Sequence, residues 1–75
     1  MIAIVDYGVG NLFSLRSSLQ HLGLEAVVTA DPGALCTADR LILPGVGAFG
    51  DAMEKLRATG LVPVLQQEAQ RKPFS

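Results

Sequence analysis

Apolar residues along this chain fall into short unbroken blocks, and between the blocks they recur at helical spacing. Ile2-Ala3-Ile4-Val5 is the first block, ended by Asp6-Tyr7-Gly8. A run that is apolar on both faces predicts a parallel strand covered by helices on two sides. Beyond Gly8-Val9-Gly10, Asn11 is suited to cap a helix. Leu12, Leu15, Leu19 and Leu22 then form one apolar stripe. The spacing predicts a helix over about 12–22, with Gly23 just past its end. Leu24 to Thr29 is a second strand, and Asp31-Pro32-Gly33 carries turn chemistry. A short helix or irregular turn follows through 34–38.

Leu41-Ile42-Leu43 predicts a third strand, stopped by Pro44, which lacks an N–H for a ladder. Gly50 to Ala58 reads as a helix turning Ala52, Met53 and Leu56 inward, and Gly60 ends it. Leu61 to Arg71 predicts another helix, with Pro63 in its first turn and Leu61, Val64, Leu65 and Glu68 at helical spacing. Pro73-Phe74-Ser75 reads as the approach to a further strand. Strands alternating with helices imply an α/β fold, a parallel sheet with right-handed crossovers. Residues 1–75 are expected to form the N-terminal half of a single domain, with an open sheet edge beside the third strand.

The 75 residues carry six basic and seven acidic side chains, a formal charge of −1. That balance gives no electrostatic reason to expect a nucleic-acid partner or an anionic membrane. No apolar run approaches the roughly 20 residues that cross a bilayer. The first residues lack the basic segment of a signal peptide, so the expected location is cytoplasmic. Cys36 is the one cysteine, so neither an internal disulfide nor a thiolate metal cluster can form.

In parallel sheets ligands bind beyond the carboxyl ends of the strands, and both glycine turns fall there. Gly45-Val46-Gly47-Ala48-Phe49-Gly50 satisfies the dinucleotide pattern G-x-G-x-x-G, which also needs an acidic strand end about 20 residues on. That distance falls near Glu68, inside a predicted helix. The first turn has Phe13 in place of the third glycine. A second reading treats the glycines as a sharp strand-to-helix bend. A third has the Val46 and Gly47 amides aimed at a substrate carbonyl oxygen, as an oxyanion hole requires. The motif alone leaves these three open. Asp6 either holds the first turn or binds a cation, and a non-catalytic receiver-like interaction domain built around Asp6 is an alternative reading. His21 is expected on the surface. Cys36 is expected to be buried as a small apolar residue.

Two segments carry a resemblance to a known family. Val5-Asp6-Tyr7-Gly8-Val9-Gly10-Asn11-Leu12 resembles the opening of the glutaminase subunits of imidazole glycerol phosphate synthase. Leu43-Pro44-Gly45-Val46-Gly47-Ala48-Phe49-Gly50-Asp51-Ala52-Met53 resembles their oxyanion strand, and the distance between the segments fits. The resemblance implies a class I glutamine amidotransferase domain, a flavodoxin-like three-layer fold here represented by its N-terminal portion. It implies hydrolysis of glutamine to glutamate and ammonia by a Cys-His-Glu triad, without metal or cofactor. Ammonia would pass to a cyclase partner, a β/α barrel of histidine biosynthesis. Gly45, Val46 and Gly47 would border glutamine and supply oxyanion-hole amides, and Asn11 would lie near the partner interface. The family's nucleophile, in a Gly-x-Cys-x-Gly elbow, and its His and Glu fall beyond Ser75. The resemblance therefore implies that these residues alone are catalytically incompetent.

Overall fold

The computed structural model describes residues 1–45 and 50–75. The elements are β1 (Ile2–Val5), α1 (Leu12–His21), β2 (Ala26–Thr29), α2 (Pro32–Thr37), β3 (Arg40–Ile42), α3 (Gly50–Ala58) and α4 (Val62–Ala69). The three strands are parallel in the order β2-β1-β3, with Ile2 opposite both Ala26 and Arg40. Because β2 lies on one side of β1 and β3 on the other, the winding reverses direction at β1. Right-handed crossovers then send α1 to one face of the sheet and α2 to the other.

Successive strand residues alternate between faces, and the burial follows that rule. Ala3, Val5 and Leu41 join Leu35, Ala38, Ala52, Leu56, Leu61 and Leu65 in one core. Ile4, on the opposite face, is also fully buried. α1 lies along β2. Its leucine stripe is only half-buried at Leu12, Leu15 and Leu19, and Leu22 is exposed. The capping expected of this helix is present. Asn11 Oδ1 accepts from Ser14 N at 3.1 Å. At the other end, Gly23 N donates to Gln20 O at 2.9 Å and Leu24 N to Leu19 O at 3.0 Å, satisfying carbonyls the helix leaves free.

Three features depart from the sequence reading. The segment after Asp31 is a true helix that begins at Pro32. Asp31 Oδ2 accepts from Ala34 N at 3.0 Å, so Asp31 is an N-cap and Pro32 sits where a missing N–H is harmless. The edge beside β3 is occupied rather than open. Leu41 N donates to Pro73 O at 3.1 Å, Ser75 N to Leu41 O at 3.0 Å, and Leu43 N to Ser75 O at 2.7 Å. Phe74 pairs in parallel with Leu41, so residues 73–75 extend the sheet past β3. Finally, Cys36 is exposed. Its Sγ lies 3.7 Å from Glu68 Oε2, a polar setting in place of the apolar one expected.

Glu68, on the α4 stripe, is fully buried. Lys72 Nζ lies 2.8 Å from its Oε1 and Arg71 Nη1 3.0 Å from its Oε2. The same Lys72 donates to the carbonyls of Leu35 at 2.9 Å and Cys36 at 2.8 Å. One ammonium thus neutralises a buried carboxylate and closes the end of α2, as cations at helix C-termini do. The hydrogen bond from Lys72 holds the Glu68 carboxyl below its ordinary value of 4.5, with Arg71 adding to the effect and burial opposing it. A carboxylate whose value is lowered by folding stabilises above its unfolded value and loses that contribution as pH falls through the folded one. Lys72→Met is therefore expected to lower the melting midpoint near neutral pH. The gap from the parent should narrow below pH 4.5, where Glu68 becomes protonated and no longer needs a cation. Melting curves across that range check this; a gap independent of pH would contradict it.

Candidate functional site

The order β2-β1-β3 makes β1 and β3 neighbours at the point where the winding reverses. A crevice opens at the carboxyl ends of such a strand pair, because the loops leave in opposite directions. The loop after β1 carries residues 6–11 and the loop after β3 begins at Leu43. Both glycine turns therefore meet at this crevice, and α3 starts beside it at Gly50.

Contact between the turns is direct. Tyr7, a buried residue, donates its hydroxyl proton to the carbonyl oxygen of Pro44. Gly10 lies so close to Pro44 that a Cβ on it would stand 3.3 Å from Pro44 Cβ. At Gly45 the backbone has φ of +77°, and an added Cβ would fall 2.4 Å from Val9 Cγ1 and 3.5 Å from the Tyr7 hydroxyl. Glycine is required there twice over, by the left-handed backbone and by the approach of Val9. Asp6 accepts from Gly8 N at 3.4 Å, so its carboxylate holds the first turn, one of the two roles expected of it.

Gly8, Val9, Gly10, Gly45, Asp51 and Lys55 line a cleft of about 340 Å³ between the turns and the start of α3. Lys55 Nζ and Asp51 Oδ2 are 3.5 Å apart on its α3 wall. Of the three residues expected to face glutamine, Gly45 lines this cleft, and Val46 and Gly47 lie outside the described residues. Asn11 is placed on the other flank of the first turn. It borders a larger cavity of about 610 Å³ together with Asp6, Gly10, Leu12, Phe13 and Arg16. Phe13 is 82% exposed there.

The described residues contain no group of three or more His, Cys, Asp or Glu side chains placed to hold a metal ion. None of their helices is long and apolar enough to cross a membrane. Cys36 is at the wrong edge to serve as a nucleophile for the cleft. α2 returns the chain to the start of β3, and α4 returns it to the start of the strand at 73–75. Cys36, Glu68 and Lys72 therefore lie toward the amino ends of the strands, opposite the glycine turns. Tyr7 joins the first turn to Pro44, a contact that the sequence reading, placing Tyr7 at a strand end and in the first resemblance segment, did not assign. An aromatic hydroxyl set between an apolar strand and a glycine turn was the available signal.

A parallel α/β sheet with two glycine turns at its carboxyl edge is consistent with the N-terminal portion of a class I glutamine amidotransferase domain. The chain is similar over nearly its whole length to the N-terminal part of imidazole glycerol phosphate synthase subunit HisH. It is 51% identical over 74 residues to that subunit of Exiguobacterium sibiricum, covering 99% of this chain and 38% of the relative. Identity to the Geobacter sulfurreducens subunit is 49% over 74 residues, 97% of this chain and 35% of the relative. The Moorella thermoacetica subunit is 51% identical over 70 residues, 93% of this chain and 33% of the relative. The chain thus spans about a third of the length of these curated relatives. No family model matches it.

Proposed function

We propose that residues 1–75 are the oxyanion-strand portion of a cytoplasmic glutaminase subunit of imidazole glycerol phosphate synthase. The complete subunit would hydrolyse glutamine to glutamate and ammonia. A cyclase partner would take up the ammonia, forming a heterodimer of histidine biosynthesis. The observation that carries this reading is Gly45. It is held left-handed by contact with the first turn, at the reversal point of a sheet whose sequence matches HisH subunits throughout.

In this reading a thiolate supplied from beyond Ser75 attacks the side-chain amide carbon of glutamine, and the amide oxygen gains the negative charge. The Val46 and Gly47 amides would steady that charge, and backbone donors serve well because they need no reorganisation as it forms. The base beyond Ser75 that had taken the thiol's proton would return it to the departing nitrogen, releasing ammonia. Water would then cleave the thioester to glutamate. Gly45 would border the substrate. Asn11, capping α1 at the far side of the first turn, would sit near the cyclase partner.

The test is an extended subunit, in which residues 1–75 replace the matching segment of the Exiguobacterium sibiricum relative, assayed with that organism's partner subunit. Glutamine-dependent turnover of the synthase is the expected result, and the 75-residue chain alone should release no ammonia from glutamine. An extended subunit that folds and binds its partner but supports turnover only with added ammonium salt would refute the proposal.

A further inference from the structure

We infer that Tyr7 is a positioning residue for the glycine turn: its hydroxyl fixes the Pro44–Gly45 peptide, and so sets the direction in which the turn leaves β3. This deepens the proposed glutaminase function and rests on it. In a trans peptide the carbonyl and the following N–H point in opposite directions. A hydroxyl that grips Pro44 O therefore also orients the Gly45 N–H, directing it away from the phenol. Val9 closes the adjacent side, since its methyl occupies the space where a Gly45 side chain would go. Gly10 against Pro44 supplies a third contact.

The partner of this hydrogen bond is well chosen. Pro44 has no N–H, so its residue cannot be tied into the sheet from the donor side. Its carbonyl is the one main-chain group by which this residue can be gripped, and Tyr7 takes it. Burial raises the phenol above its ordinary value of 10.0, so the hydroxyl keeps its proton across the working range and remains a donor. Tyr7 is itself two residues past Ile4–Val5, whose strand pairs with β3 through Ile4 and Ile42. The grip is thus anchored in the sheet and does not depend on loop conformation. The same first turn ends at Asn11, which caps α1. Displacement at the start of α1 would pass through Val9 and Tyr7 to the glycine turn.

The experiment compares Tyr7→Phe with the parent in the extended subunit, because phenylalanine keeps the buried ring and removes the donor alone. The expected result is a roughly tenfold fall in kcat for glutamine hydrolysis, with KM for glutamine within about twofold and little change in melting midpoint. The Gly45 amide resonance should shift while those of α4 stay as they were. Placing 4-aminophenylalanine at position 7, whose amino group can donate to Pro44 O, should restore both kcat and the parental Gly45 resonance. An unchanged kcat, a shift shared by all amides, or failure of the amino side chain to rescue would each overturn the inference. Should the extended subunit with Tyr7 intact prove inactive, the glutaminase reading fails. The Gly45 resonance comparison still decides whether Tyr7 positions the turn.

Discussion

Gly45→Ala should destabilise the extended subunit by about 3 kcal/mol, and about half of that loss should vanish in a background of Val9→Ala. Two effects add at this position. A φ of +77° forces an L-residue into the left-handed region, at roughly 1–2 kcal/mol. A methyl group there would also lie 2.4 Å from Val9 Cγ1. Val9 is branched at Cβ and has few alternative rotamers, so the clash is not relieved by a simple swing. Forcing an extra carbon into such a contact costs typically about 1–3 kcal/mol. Shortening Val9 removes the second effect and leaves the first, giving a coupling on the order of 1–2 kcal/mol in a double-mutant cycle.

Gly8 supplies the control. Its φ is +87°, but nothing lies within 4 Å of the position a Cβ would take. Gly8→Ala should therefore show the backbone effect alone and be insensitive to Val9. Urea unfolding of these single and double variants measures all of these differences. A Gly45→Ala loss under about 0.5 kcal/mol, the range of ordinary surface substitutions, or no coupling to Val9, would mean the two turns are not seated on each other.

What the sequence revealed, and what it did not, follows from the range of each interaction. β1, α1 and α3 are local objects, specified by an unbroken apolar run, a leucine stripe with its cap, and a charged segment bounded by Gly50 and Gly60. α2 was legible in principle. Asp31-Pro32-Gly33 is both a turn signature and an N-cap followed by a proline at the first helical position, and the hydrogen bond to Ala34 N shows which prevails. The Glu68 cluster was hidden because its members come from two helices. Helical spacing put Glu68 on the buried stripe, but nothing local says that Lys72 returns to it while also closing α2.

The site divides along the same line. Gly45 as a special backbone position was readable from its neighbours alone. Its dependence on Tyr7 and Val9 was not, because that contact exists only if β1 and β3 are adjacent. Hydrophobic periodicity identifies strands without ordering them. The order β2-β1-β3 is what joins residues 7 and 44 across 37 positions of sequence. Resemblance to a family supplied the residues of the proposed chemistry, and the fold supplied the reason that Gly45 meets the first glycine turn.

Gly47→Val carries the largest expected effect on catalysis. In the proposed reading, a branched side chain at position 47 would restrict the backbone freedom that lets this amide aim at the developing oxyanion. Removing one oxyanion-hole donor in other enzymes lowers kcat by about 10²–10³, near 2.7–4 kcal/mol. An interaction made only as charge develops lowers kcat and leaves ground-state binding intact. The decisive measurement is therefore steady-state ammonia release from glutamine by the extended subunit, with Gly47 and with valine in its place. The account predicts a fall in kcat of at least about 100-fold with KM for glutamine little changed. A folded, partner-bound Gly47→Val subunit that releases ammonia at the parental kcat would contradict it.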